Sequence, residues 1–298
     1  MKIMVIYPLL LLSGMSSAEW LYPSNQLPAG THVTAAGASS SCSSVSCFSY
    51  RREAIETGLV YHYIKSNLDG SNATRVAIYV QSPTHVEVLK IYPGVPYAFN
   101  VTADMDWTRF EPDHYMQWLI HRDGSRELQM SLEEQPDGRS LRLKAAGDAP
   151  VPATVMEIPI GDHPAHIYSF DFISLNFALR HLSNPEGQFQ VGIVAPDPKE
   201  PKLVYKGLAT VQYLKDEPRH QVSCRVYRVS GPGLDNTEGK IWVNKKAAHI
   251  EDMEFSLPDV PAWDAPGWNS FKFELKSMEP MDDFRWNQWM LDQAKAIK

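Results

Sequence analysis

The chain of 298 residues combines a hydrophobic fraction of 44% with a formal net charge of −7 at pH 7. Charges of both signs are mixed along it, and Lys and Arg nowhere form a run of five. A nucleic-acid-binding protein needs a clustered basic face, so this charge distribution argues against such a partner. The length suits one large β domain or two smaller ones.

Residues 1–18 have the pattern of a secretory signal peptide. Lys2 provides the positive start, residues 3–12 are apolar, and small residues precede the cleavage position. The apolar run is roughly ten residues long, about half of what a membrane-spanning helix needs. We therefore predict cleavage after Ala18, a secreted or periplasmic location, and no transmembrane segment in the mature chain; a buried N-terminal strand is the alternative.

Residues 19–50 are predicted to form a low-complexity leader, because Ala, Gly, Ser and Thr dominate its centre. Within this leader, Cys42 and Cys47 flank four residues. In an exported protein such a pair can close a short disulfide loop, and the spacing differs from that of C-x-x-C redox motifs. We predict a structural disulfide, with free or intermolecular thiols as the alternative. Cys224 is then predicted to be a buried, inert thiol.

Residues 51–160 alternate apolar and polar side chains with a period of two, which is typical of strands with one buried face. Asp123-Gly124 and the Pro-Asp-Gly sequence at 136–138 are turn signals between such strands. The predicted strands are residues 59–66, 75–81, 85–92, 97–102, 118–122, 126–133, 140–145 and 154–160.

Residues 104–118 are both acidic and aromatic, and we predict a loop here. Aromatic rings stack on pyranose faces and carboxylates bind sugar hydroxyls or act as acid and base, so the segment is a candidate sugar site. The candidate residues are Asp106, Trp107, Asp113, His114 and Trp118. The alternative is an aromatic loop that caps the core, since the eight Trp residues of the chain must be accommodated somewhere.

Residues 168–182 break the strand pattern and are predicted to form one helix. Its apolar side chains cover most of its circumference, so it must be buried on most sides. Between two runs of strands, such a helix suits the concave face of a curved sheet, as a plug. The residues predicted to line or gate that concavity are Phe170, Phe172, Leu175, Phe177 and Leu179.

Four further antiparallel strands are predicted in residues 202–257, with turns at 216–218, 231–236 and 244–246. A last strand follows at 270–278, and a C-terminal helix at 281–298 can be capped by Asp282 or Asp283. Together the elements predict a mainly β fold, a large curved antiparallel sheet (half-barrel) with a central plugging helix and a C-terminal helix. The half-barrel spans residues 51–280, either as one domain or as two β halves, 51–160 and 161–280.

A family resemblance supports this fold. Residues 172–278 carry the sequence FALRHL, an F-x-V-x-I strand at 189–193, the strand GKIWVN at 239–244 and the strand that follows it. This part resembles the C-terminal half of a family of secreted, uncharacterised bacterial β-proteins, which in turn resembles the half-open barrels of periplasmic lipoprotein carriers. The resemblance implies a fold and an exported location, and it transfers no active residue.

Motifs for catalysis or cofactor binding are missing from the sequence. It contains no nucleophile elbow, phosphate loop, metal-ligand cluster or catalytic carboxylate pair at usable spacing. His163 and His166 are close, but Pro164 between them prevents a shared helix face, so we predict ordinary loop histidines. We expect no catalytic residue, no cofactor and no metal.

The leading functional hypothesis is a non-catalytic envelope protein that binds an amphiphilic or lipid-like ligand in an apolar concavity. Two alternatives remain at this stage. The concave face can instead be filled by side chains, which makes the protein a structural module that binds an envelope protein partner. The third hypothesis is a carbohydrate-active protein that uses residues 104–118.

Overall fold

The computed structural model describes residues 45–145, 154–197, 199, 202–258 and 267–297. The predicted signal peptide, its cleavage position and most of the predicted leader lie outside these residues. The described residues contain two α-helices, α1 (Ile173–Ala178) and α2 (Asp283–Lys295), together with several short 3₁₀ turns. Neither helix is both long and apolar enough to cross a membrane.

Fifteen strands of the described part of the chain form one sheet. They are β1 (Leu59–Ser66), β2 (Thr74–Val80), β3 (His85–Ile91), β4 (Ala98–Asp106), β5 (Glu111–Ile120), β6 (Arg126–Glu134), β7 (Ser140–Ala145), β8 (Thr154–Pro159), β9 (Ala165–Ile167), β10 (Gln188–Pro196), β11 (Leu203–Arg219), β12 (Val222–Ser230), β13 (Glu238–Asn244), β14 (Ile250–Phe255) and β15 (Phe271–Pro280). The order across the sheet is β8-β7-β6-β5-β4-β3-β2-β1-β15-β14-β13-β12-β11-β10-β9. Neighbours are antiparallel except β9 and β10, which are parallel.

The strand order shows two meanders joined at one seam. Strands β1 to β8 extend outward in chain order, and β9 to β15 return from the opposite edge until β15 pairs with β1. The two predicted β halves therefore share a single sheet, and the plug (residues 168–182) lies in the chain between them.

The sheet curls strongly. Glu111, at the start of β5, accepts a hydrogen bond from the backbone N–H of Ala165 on the edge strand β9. These strands are eleven positions apart in the sheet order, which is about 50 Å in a flat sheet at the usual spacing between strands. Only a sheet that folds back on itself brings the two residues together. The predicted half-barrel fold, with its internal plug and C-terminal helix, is thus confirmed.

The concave face of the sheet holds the main core. In β1, Tyr61 and Tyr63 belong to this core, whereas Val60 belongs to a separate cluster on the opposite face. The main core draws buried residues from nearly every strand and from the whole length of the plug. A helix that is apolar on most sides is buried on most sides here, because the curved sheet surrounds it.

The outer face of the sheet is covered in two places. Helix α2 packs its Trp286, Met290 and Ala294, spaced by one turn each, over the strands of the first meander. Over the second meander, the end of the β11–β12 hairpin brings Arg219 to 4.3 Å from the Trp242 ring, and Arg219 Nε donates to the buried Asp252 at 2.7 Å. Both faces of the sheet are therefore partly desolvated.

Candidate functional site

The candidate site is the interface between the plug and the concave face of the sheet. The five plug residues singled out in the sequence are all at most 3% exposed: Phe170, Phe172, Leu175, Phe177 and Leu179. Phe172 stacks on Phe255 of β14 with ring centroids 5.6 Å apart, and Phe170 meets Tyr115 of β5 edge-on at 5.1 Å. The plug side chains therefore fill the concavity of the sheet.

The plug is not the single helix predicted from its sequence. A 3₁₀ turn at Tyr168–Phe170 is followed by α1, of six residues, and by a second 3₁₀ turn at Leu179–His181. Between the first two pieces, Asp171 and Phe172 adopt left-handed backbone conformations with φ of 56° and 52°. Such a conformation costs a non-glycine residue about 1–3 kcal/mol. Helices this short are unstable alone, so contacts with the sheet must maintain the shape of the plug.

A buried ionic cluster fastens the plug to the sheet wall. Asp171 Oδ1 lies 2.9 Å from Lys65 Nζ of β1, and its Oδ2 lies 2.7 Å from Lys90 Nζ of β3. Lys90 also donates to the carbonyl of Ser169 at 3.1 Å. The side chains of Lys65, Lys90 and Asp171 are exposed by 0%, 5% and 0%. Burial acts to raise the pKa of Asp171, but the two ammonium groups outweigh it and hold this pKa below its ordinary value.

A neutral hydrogen-bond network holds the centre of the plug. The side chain of Asn176 donates to Tyr63 Oη at 3.2 Å and accepts from the backbone N–H of Ile250 at 2.9 Å. Tyr63 Oη in turn donates to the carbonyl of Ile250 at 2.6 Å. These bonds connect α1 to both β1 and β14, and they satisfy polar atoms that the plug would otherwise bury without partners.

Arg180 lies one turn after Asn176 and is 1% exposed. Its guanidinium donates to Tyr61 Oη at 3.0 Å and lies 4.8 Å from the centre of the Phe177 ring and 5.3 Å from that of Tyr61. Arg180 Nη1 also donates to the carbonyl of Ala54 at 3.4 Å. A carbonyl, a hydroxyl and two ring faces thus surround this guanidinium in place of a carboxylate.

The N-terminal strap (residues 47–51) covers the C-terminal end of the plug. Phe48 pairs with Leu182 in a single antiparallel bridge. The backbone N–H of Ser49 donates to the carbonyl of His181 at 2.6 Å, and Ser183 N–H donates to the carbonyl of Cys47 at 2.9 Å. His181 Nδ1 accepts from the backbone N–H of Arg51 at 3.0 Å. Burial, assisted by the nearby arginines, lowers the pKa of His181 to about 4.

His166 supports the plug from β9. Its Nδ1 lies 2.8 Å from the Ser174 hydroxyl of α1, and complete burial lowers its pKa to about 3. His163, which the sequence paired with it, is half-buried and has no such contact with the plug. Among the described residues no group of three or more His, Cys, Asp or Glu is arranged to hold a metal ion.

The charged residues of this site escaped the sequence analysis, although a signal existed for each. Lys65 alternates with Tyr61 and Tyr63 on the apolar face of its strand, and Lys90 does so with Val88. Asp171 is the single acidic residue in the mostly apolar sequence of residues 168–182. A charge on the buried face of a predicted element must find a partner, so each position was informative about burial but not about which partner it meets.

The candidate sugar site is spread over several surroundings. The segment predicted as a loop at 104–118 is mostly strand, because β4 continues to Asp106 and β5 begins at Glu111. The carboxylate of Asp106 accepts from the backbone and hydroxyl of Thr108, and thereby closes the turn. The Trp107 ring packs edge-on against His181 at 4.5 Å, beside the strap.

The other three candidates lie along β5. His114 Nδ1 lies 3.3 Å from the carboxylate of Asp113, and the two side chains are 51% and 47% exposed. Trp118 is four residues further along the same strand, which is about 13 Å away. The structure thus places Asp106 with Trp107 and Asp113 with His114 but does not gather all five around one cleft, and a sugar site there stays a prediction.

Of the three cysteines, Cys47 and Cys224 lie in the described part of the chain. Cys42 lies outside the described residues and Cys47 is a buried residue of the strap, so a disulfide between them stays a prediction. Cys224 is fully buried against Val226 and Trp242. Burial raises the pKa of its thiol to about 11, which suppresses the reactive thiolate and agrees with the predicted inert role.

The fold and the site together define a half-barrel whose internal plug is held to the sheet by ion pairs and hydrogen bonds. No family model matches the chain, and no curated protein does. Among 19 matching chains of solved structures is the crystal structure of a LolA superfamily protein from Nitrosomonas europaea. It is 10% identical, the match covers 75% of this chain and 85% of that one, and the TM-score is 0.27.

Proposed function

We propose that this protein is an exported, non-catalytic binding protein that takes an amphiphilic or lipid-like ligand onto the concave face of its sheet when the plug moves aside. The observation that carries the proposal is the construction of the plug. It is made of short helical pieces with a left-handed joint at Asp171 and Phe172, and it is fastened to the sheet at a few polar points. A segment of this kind can leave as a unit while the strands stay paired.

The surface beneath the plug has the composition of a lipid site. Displacement of Phe172 uncovers Phe255, and the rings of Phe271 and Phe273 continue the apolar surface along β15. Apolar surface exposed to water costs about 25 cal/mol per Å². An acyl chain that replaces the plug side chains removes this cost, and ligand pockets are typically apolar with a few polar groups, as here. The release of the plug and the binding of the ligand are therefore coupled.

The first experiment is native mass spectrometry, with organic extraction, of the mature protein purified from the envelope fraction of its host. We expect a reproducible co-purifying amphiphile. Hydrogen exchange then compares the emptied protein with and without added amphiphile, and we expect a change in residues 168–182 that the β12–β13 pair does not share. A protein that carries no amphiphile and whose plug does not respond is instead a structural or partner-binding module.

A reversible lock provides a matched control. Hydrogen bonds flank the Phe48–Leu182 bridge on both sides, so these two residues form a non-hydrogen-bonded antiparallel pair. The Cα atoms of such a pair are about 4.5 Å apart, which is within the range that a disulfide accepts. The variant Phe48→Cys/Leu182→Cys, with Cys42→Ser and Cys47→Ser to prevent mispairing, fastens the C-terminal end of the plug to the strap. We expect ligand uptake to be lost when this variant is oxidised and regained when it is reduced. Equal uptake in both states contradicts the proposed movement.

A further inference from the structure

We propose that the ligand is an amphiphile with an anionic headgroup, and that Lys65 and Lys90 bind this headgroup at the position that the Asp171 carboxylate occupies in the closed state. This inference rests on the proposed function and names its ligand class. Asp171 acts as an internal substitute for the acidic end of the ligand.

The two lysines belong to the wall and not to the moving part. Lys65 is in β1 and Lys90 is in β3, and both strands pair with β2 over their length. Their ammonium groups nevertheless converge on the two oxygens of one carboxylate, at 2.9 and 2.7 Å. When the plug leaves, Asp171 goes with it and both ammonium groups stay in the sheet.

Charge then determines what can replace the plug. A buried ammonium group is tolerated when it is paired, and Lys90 has Asp171 as its only carboxylate partner among the described residues. A neutral amphiphile would cover the apolar face but leave Lys90 without a counter-ion. A carboxylate or phosphate headgroup presents the same kind of oxygen as Asp171 and restores the pair.

The position of the cluster also orients the ligand. Lys65 and Lys90 each precede the last residue of their strand, and β1 and β3 run in the same direction, so both lie near one rim of the half-barrel. Aromatic rings border this point, with Lys65 Nζ 5.2 Å from the centre of the Tyr92 ring and 5.4 Å from that of Trp268. The headgroup therefore lies at this rim, and the acyl chain extends along the face that Phe172 covers.

The test compares three probes of equal chain length below their micellar concentrations: dodecanoate, dodecyl phosphate and the neutral monododecanoylglycerol. Asp171→Asn removes the competing charge and keeps the shape of the side chain, and Asn tolerates the left-handed backbone. We expect this variant to bind both anionic probes roughly tenfold more tightly than wild type. The neutral probe should change by less than about threefold, which separates the charge effect from general loosening of the plug.

Two further variants provide controls. Asp235→Asn makes the same chemical change at another left-handed position, on the surface of the β12–β13 turn, and should leave all three affinities at their wild-type values. The triple variant Lys65→Met/Lys90→Met/Asp171→Asn replaces the ionic cluster by side chains of similar length, a change that buried ion clusters often tolerate in folding. It should bind the neutral probe as wild type does and show no preference for the anionic ones.

Each outcome decides between the two proposals. Equal affinity for anionic and neutral probes in wild type and in Asp171→Asn overturns the anionic ligand but leaves the amphiphile-binding function in place. Binding of none of the probes to either protein overturns the proposed function and this inference with it. Inorganic phosphate and acetate are tested alone, because binding of these ions as tight as that of the amphiphiles would make the cluster a small-anion site and overturn the headgroup assignment.

Discussion

Two buried histidines at the plug make the stability of this protein depend on pH. His166 and His181 both contact the plug or belong to it, and burial lowers the pKa of both. The folded state keeps these side chains neutral, whereas the unfolded chain takes up protons at the ordinary pKa near 6.5. Their contribution to stability is therefore complete above that pH and is lost as the pH falls through the range down to about 4 and 3.

His166→Gln tests this acid sensitivity. One proton taken up only by the unfolded state changes the free energy of unfolding by about 1.4 kcal/mol per pH unit. Between pH 6 and 4, we expect the stability of wild type to fall more steeply than that of the variant by roughly this amount. Urea unfolding across the range measures both slopes. His121→Gln, at a position where the side chain is 37% exposed, is the control, and slopes that do not differ between wild type and His166→Gln would contradict the assignment.

At the scale of elements, the sequence predicted most strands and the C-terminal helix correctly because their signals are local. Alternation identified β1, β2, β3, β6 and β7, and Asp282 caps α2 by accepting from the N–H of Arg285 at 2.8 Å.

The turn predicted at 216–218 was wrong. Pro218 lies within β11, and the hairpin closes at His220 and Gln221, whose φ angles of 50° and 68° suit a tight two-residue turn. Neither residue is a strong turn former, so tertiary contacts outweighed local preference.

Helix α2 offers a matched pair of substitutions on one element. Trp286 is fully buried, stacks on Tyr79 at 5.1 Å and donates through Nε1 to Glu87 at 3.0 Å. We expect Trp286→Ala to cost about 3–5 kcal/mol of stability, from lost apolar contact and an unpaired Glu87. Phe284→Ala, at a residue 80% exposed in the first turn of the same helix, should cost no more than about 0.5 kcal/mol. Thermal or urea unfolding measures both values, and similar losses would contradict the packing of α2 on the sheet.

At the scale of the whole molecule, the curl of the sheet depends on contacts between strands far apart in its order. Glu111 accepts from Ala165 of β9 and forms an ion pair with Arg109, which also lies 3.0 Å from Glu134. Burial nevertheless raises the pKa of Glu111 to about 7, against the opposing effects of Ala165 N–H and Arg109. Because the folded pKa is raised, this carboxyl group stabilises the protein fully below about pH 4.5, and its contribution is lost as the pH rises to about 7.

Glu111→Gln keeps the acceptor for Ala165 and removes the titration. From pH 5 to pH 8, we expect the stability of the variant to rise relative to wild type by roughly 2–3 kcal/mol, which is most of the free energy that corresponds to the raised pKa. Paired urea unfolding at the two pH values measures the change. Glu157→Gln, at a carboxylate 61% exposed on β8, is the control. A difference between Glu111→Gln and wild type that stays constant with pH would show that Glu111 is ionised throughout.

The sequence by itself determined the mainly β class, the burial of the plug residues and the capped C-terminal helix. Each of these follows from periodicity or capping within a short segment, since side-chain direction repeats every two residues in a strand and every 3.6 in a helix. The tertiary structure alone decided that β15 pairs with β1, that β9 curls back to Glu111, and that Lys65, Lys90 and Asp171 meet. The physical reason is that a buried charge reveals in sequence only that it needs a partner, whereas the identity of the partner depends on how distant strands pair and how strongly the sheet bends.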